Sequence, residues 1–202
     1  MAEEHKTTSS SRSAEEAAAS AQRHASNAAG ALDAKLSGPL APLEKALDDV
    51  FGEKASYQLP KDVKDMLVKI APWLALIGGI LGFVSAYNLW QWAHRANRAL
   101  ESLNAAFGNI VPAQTVELGL TFWLSIVMTL IFAVLALLAF PGLKAKKKVG
   151  WNLMFYSMIA NVLYGIVSVF YEGGGVGSLL ASLIISAIGL YILFQVRANY
   201  KV

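Results

Sequence analysis

The sequence predicts an all-α integral membrane protein: a four-helix transmembrane bundle with a disordered N-terminal tail and short peripheral amphipathic helices. Four apolar segments without any acidic or basic side chain carry this prediction: residues 70–90, 118–140, 151–170 and 179–196. Each is about long enough to cross a hydrocarbon core of about 30 Å as a helix. Composition agrees, since 15% of the 202 residues are charged, whereas soluble domains average about 25%.

The residues before the first span divide into two parts. Residues 1–38 are rich in Ala, Ser, Glu and Asn and predict a disordered cytoplasmic tail. Residues 39–60 predict a short amphipathic helix and a linker, because Leu43, Leu47 and Phe51 share one helical face and Pro42 suits a helix start. The acidic polar face of residues 41–52 favours a protein partner or docking on the bundle. Residues 61–202 then form the four-span membrane domain.

The links between the spans predict the orientation. The second link contains Lys144, Lys146, Lys147 and Lys148, whereas the third, residues 171–177, contains no Lys or Arg. The positive-inside rule places the lysine link in the cytoplasm, and four spans place both termini there too. These lysines are also candidates for binding anionic lipid headgroups; the alternative is that they only determine topology.

The first link opposes this orientation. It carries Arg95 and Arg98, although Glu101 and Glu117 bring its charge close to neutral. Its apolar residues recur at spacings of three and four, which predicts an external helix over residues 95–108. That helix would lie along the outer membrane surface or extend the first span; the less favoured alternatives are a lid over an external cavity and a seam for self-association.

Small and weakly polar residues recur four apart within every span, which places them on one helical face. Such faces favour close helix packing in lipid. A second interpretation is a polar pathway lined by Thr129, Ser157, Asn161, Ser182 and Ser186. Packing is favoured, because membrane pathways usually contain ionisable side chains and these spans have none. The amide of Asn161 is costly in hydrocarbon without a partner.

No enzymatic signature is recognisable. The sequence has no phosphate-binding Gly-rich motif, no paired-histidine motif and no nucleophile elbow. With no cysteine and three scattered histidines, thiolate and histidine metal sites are not expected. We therefore predict no catalytic residue, no cofactor, no metal and no nucleic-acid binding. The partners expected are the lipid bilayer, including anionic lipid, and a protein.

The predicted function is that of a non-enzymatic structural, scaffolding or accessory subunit, acting through helix packing and the N-terminal segment. The alternative is a small oligomeric transporter or channel for a neutral solute or a weakly held ion. The run from Gly150 to Tyr164 resembles small prokaryotic membrane proteins. That resemblance implies a prokaryotic plasma membrane location and no particular activity.

Overall fold

The computed structural model describes residues 4–52, 55, 57–107, 119–171 and 176–201. The described chain is all-helical, as predicted. Its elements are α1 (Glu4–Phe51), α2 (Lys61–Phe107), α3 (Leu120–Lys144), α4 (Lys148–Tyr171), α5 (Val176–Gln195) and a 3-10 turn, Arg197–Asn199.

Two stretches are long and apolar enough to cross a membrane: Lys61–Ala106 in α2 and Phe122–Lys144 in α3. Only 22% of the most apolar part of each is buried inside the fold. The core helix of a soluble protein would be mostly buried, so this exposure leaves apolar surface for lipid. Leu180–Gln195 in α5 is apolar but shorter. Length and composition thus support two of the four predicted spans.

The packed helix pairs follow chain order: α2 with α3, α3 with α4, and α4 with α5. Within the described ranges α2 makes no comparable contact with α5, so the helices form an open row rather than the compact bundle that the sequence predicts. In a bilayer, lipid would cover the outward apolar side chains of such a row.

The N-terminal region differs most from the prediction. Instead of a disordered tail followed by a short helix, α1 runs for 48 residues and includes Pro39 and Pro42 in its interior. The reason is an apolar stripe that starts well before Pro42. Its members face the core at helical spacing: Ala29, Leu32, Leu36, Leu40, Leu47 and Phe51. This packing against α3, α4 and α5 offsets the roughly 3 kcal/mol that an interior proline costs a helix.

Two links also take a definite form. The helix predicted over residues 95–108 extends α2, which continues to Phe107. Residues 108–118 lie outside the described residues.

Between α3 and α4 the chain reverses within three residues, and Lys146 adopts the left-handed region with a φ of 52°. Pro141 lies inside α3 and does not end it.

The tightest core lies at one end of the row, where α1 crosses it. Trp151, Leu153 and Phe155 at the start of α4 are fully buried. The Trp151 indole nitrogen donates to the Leu193 carbonyl at 2.8 Å, and its ring stacks on Phe155 with centroids 5.5 Å apart. Trp151 is therefore a core residue, because contacts with α1 and α5 enclose this end of α4.

Candidate functional site

Gln195, the last residue of α5, joins α5 to the segment that follows α1. Its Nε2 donates to the carbonyls of Phe51 at 3.0 Å and Gly52 at 3.4 Å, while its Oε1 accepts from the Leu59 backbone N–H at 3.2 Å. Gln195 is 4% exposed. The two carbonyls lie at the C-terminus of α1, where a helix leaves acceptors without intrahelical partners. One buried amide therefore fixes the linker against α5.

Arg197 holds the acidic face of α1. Its guanidinium forms ion pairs with Glu44 and Asp48, which lie one turn apart. The same guanidinium lies over the Trp151 ring, 5.4 Å from its centroid. These two carboxylates, which the sequence offers to a partner or to docking on the bundle, are thus engaged by the chain's own C-terminal segment. Within residues 41–52, Leu43 and Val50 remain exposed.

Asp33 forms a second polar tie, midway along α1. Its Oδ1 accepts from Asn152 Nδ2 and from the Tyr156 hydroxyl, both at 2.7 Å. Asn152 is 4% exposed, and its own Oδ1 is buried without a hydrogen-bond partner in the described part of the chain. Sequence reasoning missed this site, because Asp33 falls within the region predicted to be disordered.

A cavity of about 500 Å³ lies where these elements meet, and we call it the junction cavity. Its walls come from the end of α1, the linker, the starts of α2 and α4, the end of α5 and the C-terminal segment. The lining residues are Asp48, Gly52, Gln58, Lys64, Lys148, Trp151, Phe194, Gln195, Arg197, Ala198, Tyr200 and Lys201.

Backbone pairing brings two of the lining lysines together. The Lys148 N–H donates to the Lys201 carbonyl at 2.8 Å, and the Lys201 N–H donates to the Lys146 carbonyl at 3.0 Å. Lys64 Nζ donates to Gln58 Oε1 at 3.0 Å. Burial raises the pKa of Tyr200, which lines the same cavity, to about 12.

The lysines that the sequence proposes for lipid headgroups do not share one site. Lys148 is half-buried and lines the junction cavity, whereas Lys144, Lys146 and Lys147 are exposed. Lys144 lies over the Phe140 ring, 5.9 Å from its centroid. Lys147 lines a separate cavity of about 350 Å³ between α1 and the α3–α4 turn.

The five candidate polar residues of the spans have different surroundings. Ser186 is buried, Thr129, Ser157 and Ser182 are half-buried, and Asn161 is exposed. The Thr129 hydroxyl donates to the Ser125 carbonyl one turn earlier, at 2.8 Å. None of the five lines the junction cavity, the cavity at Lys147 or a third cavity of about 530 Å³ that Leu32 and Leu36 of α1 line together with α3 and α4.

Ser182 does lie at a helix contact. A Cβ placed on Gly165 would come 2.9 Å from the Ser182 hydroxyl oxygen, so α4 and α5 approach closely there.

Comparisons with protein-family models, with curated proteins and with solved structures find no match to this chain. The residues that the structure describes contain no group of three or more His, Cys, Asp or Glu side chains placed to hold a metal ion. The function therefore has to be argued from the helix arrangement and from the ties of α1.

Proposed function

We propose that the protein is a non-enzymatic membrane scaffold or accessory subunit. Helices α2 to α5 cross the bilayer, and α1 lies across their cytoplasmic ends as a docked arm. The docking of α1 carries this proposal: it is tied at Asp33 and at the Arg197 ion pairs, whereas residues 13–18 are exposed. A polar helix docked at the membrane surface, with residues 13–18 exposed, suits a protein partner.

A crossing by α4 is supported by the way α4 runs beside α3. At one end, a Cβ on Gly142 would come 2.7 Å from the Gly150 Cα; further along, the Tyr164 hydroxyl donates to Ser125 Oγ at 3.0 Å. A helix of 24 residues is about 36 Å long. If α3 crosses the bilayer, α4 therefore lies at the same depth. Contacts with α1, α3 and α5 accompany the burial of Asn152 and the partial burial of Ser157, whereas Asn161 is exposed.

The topology can be tested with single cysteines, because the natural chain has none. We expect Arg98→Cys and Gly177→Cys to react with a membrane-impermeant maleimide in intact cells, and Lys146→Cys to react only after permeabilisation. All three positions are exposed. If only Lys146→Cys is labelled in intact cells, the orientation is the opposite of the one proposed. Protection of Gly177→Cys together with Lys146→Cys would exclude a crossing by α4.

The accessory role can be tested by removing the first part of α1, which includes the exposed residues 13–18. We expect a chain lacking residues 4–18 to lose a stoichiometric partner that co-purifies with the full chain in detergent, while its melting temperature stays unchanged. Deleting residues 1–56 would be less informative. That deletion also removes Glu44 and Asp48, which pair with Arg197, and Phe51, whose carbonyl accepts from Gln195. Glu15→Lys with Glu16→Lys keeps the arm and tests whether its charge is recognised.

The opposite outcome would favour the second candidate. If both chains purify as the same homo-oligomer without a partner, the oligomeric transporter or channel becomes the better proposal. One observation favours it: Asn161 is exposed in the single chain, and at membrane depth an exposed amide favours a second copy that supplies a hydrogen-bond partner.

A further inference from the structure

We infer that the junction cavity binds a phosphate-bearing anion, either a phospholipid headgroup or a small soluble phosphate compound. Four cationic side chains line it, Lys64, Lys148, Arg197 and Lys201, against the single carboxylate of Asp48. The described lining therefore carries a net charge of +3. This site differs from the lysine run predicted from the sequence, because only Lys148 belongs to both.

The cationic side chains of the cavity lining differ in whether a carboxylate compensates their charge. Arg197 is engaged by Glu44 and Asp48, so its charge is already compensated within the fold. Lys64 donates to Gln58, and a neutral amide leaves the ammonium charge uncompensated. Lys148 and Lys201 are joined through their backbones, and both line the cavity, where Asp48 is the one carboxylate among the described lining residues.

The position of Lys148 strengthens the case for an anion. It is the first residue of α4, where the helix dipole is positive and a second positive charge is unfavourable. A bound anion would compensate both charges. Trp151 and Phe194 form the apolar part of the wall, and low-polarity surroundings strengthen ion pairing relative to water.

Phosphate suits this arrangement better than a carboxylate does. Its several oxygens accept hydrogen bonds in different directions, whereas these lysines come from the first turn of α2, the start of α4 and the C-terminal segment. Lysine binds phosphate as a flexible point charge. A cavity of about 500 Å³ lies within the usual range for small-molecule sites, about 300–1,000 Å³. Val63 and Met66 beside Lys64 are exposed and apolar, which is compatible with an adjoining acyl chain.

The test uses the full chain in neutral detergent and isothermal titration calorimetry. The probes are dihexanoyl phosphatidylglycerol, glycerol 3-phosphate and, as a zwitterionic control, dihexanoyl phosphatidylcholine. The test variant is Lys64→Gln with Lys201→Gln. The matched control is Lys61→Gln with Lys69→Gln, which removes the same charge from exposed positions outside the cavity lining.

We expect the test variant to weaken binding of the anionic probe about thirtyfold, and Lys201→Gln alone about fivefold, at about 1 kcal/mol for each lysine. Because the Lys201 side chain is exposed, this single variant keeps the test valid if the double variant does not fold. The control pair should change affinity less than threefold.

Binding of phosphatidylglycerol without glycerol 3-phosphate would identify a lipid headgroup site, and binding of both would identify a soluble phosphate compound as a sufficient ligand. Three results would overturn the inference: no saturable binding, equal losses in the test and control pairs, or equal binding of phosphatidylcholine. None depends on a protein partner of α1, so the scaffold proposal stands or fails separately.

Discussion

Asp33 accepts two hydrogen bonds from α4, although nothing in its local sequence separates it from the other acidic residues of α1. Its contribution to stability depends on the two side chains that donate to it. Asn152 and Tyr156 are buried donors, and a buried donor that loses its acceptor is destabilising.

Replacing Asp33 with alanine should therefore loosen α1. We expect Asp33→Ala to lower the free energy of unfolding by about 2 kcal/mol, because two buried donors lose one acceptor. Asp33→Asn keeps a carbonyl oxygen and should lose about half as much. Thermal unfolding and amide hydrogen exchange across α1 would measure both, with Glu16→Ala as an exposed control. Equal effects of Asp33→Ala and Glu16→Ala would show that the tie does not stabilise the fold.

Tyr200 gives a prediction about alkaline pH. Burial raises its pKa from 10.0 to about 12, so the folded state holds its proton more tightly than the unfolded state. This group therefore does not affect stability below pH 10, and it lowers stability as the pH rises from about 10 to about 12. Tyr200→Phe should remove this part of the alkaline loss in melting temperature. An unchanged alkaline profile would contradict burial of the hydroxyl.

Tyr200→Phe also tests packing at neutral pH. The hydroxyl is buried without a hydrogen-bond partner among the described residues. Its removal should be neutral or slightly stabilising at pH 7, because no hydrogen bond is lost.

Between elements, the contact of α2 with α3 depends on which glycine faces inward. A Cβ on Gly82 would lie 2.8 Å from the Ala133 Cβ, and one on Gly79 would lie 2.6 Å from the Leu137 side chain. Gly78 has nothing within 4 Å. The four-residue spacing groups Gly78 with Gly82, whereas the structure turns Gly79 and Gly82 toward α3.

Gly82→Ala and Gly78→Ala form a matched pair on one helix. We expect Gly82→Ala to destabilise the α2–α3 contact by about 1–3 kcal/mol, because the added methyl overpacks a rigid contact. Gly78→Ala should be neutral or stabilise α2 by up to about 1 kcal/mol through helix propensity. Unfolding in detergent would measure both. Similar losses in the two variants would indicate that Gly78 also faces a packed surface, such as a second copy.

The helices differ in how well the local sequence predicts them. The apolar runs of α2 and α3 predict helices because their composition alone requires it. For α1 the local signals mislead: Gly38, Pro39 and Pro42 resemble a helix boundary, yet the helix continues through them. The information that decides this lies elsewhere in the chain, since Arg197 and Glu44 are 153 residues apart. Leu32 and Leu36, which continue the apolar stripe toward the N-terminus, are a local signal that favours a longer helix.

The residues that line the junction cavity are equally hard to predict from the sequence. The run Lys144 to Lys148 is conspicuous in the sequence, whereas Lys64 and Lys201 join Lys148 only through the fold. Periodicity predicts faces of single helices, but it carries no information on which distant segments share a cavity.

The whole molecule presents apolar side chains along both outer helices of the row. Leu74, Ile77 and Leu81 on α2 are exposed, and so are Ile184, Ile185 and Ile188 on α5. Lipid can cover such side chains, so they do not by themselves require a protein neighbour. Asn161 on α4 is different, because lipid cannot satisfy an exposed amide.

We therefore expect Asn161→Leu to weaken self-association without unfolding the chain. One interhelical polar contact is worth about 0.6–1.7 kcal/mol in a membrane, which corresponds to an increase of about three- to eighteenfold in the dissociation constant of the oligomer. Energy transfer between labelled chains in liposomes would measure it. Leu163→Ala serves as the control, because residue 163 is exposed and lies about 200° around α4 from residue 161.

The same liposomes separate the two proposed functions. If Asn161→Leu abolishes solute flux in folded protein, the exposed amide belongs to a pathway, and the transporter or channel is favoured. If neither the natural chain nor Asn161→Leu gives solute flux, and the substitution weakens association, Asn161 acts as a contact between subunits. That result favours the scaffold. Unchanged association would show that this surface of α4 is not an interface between copies.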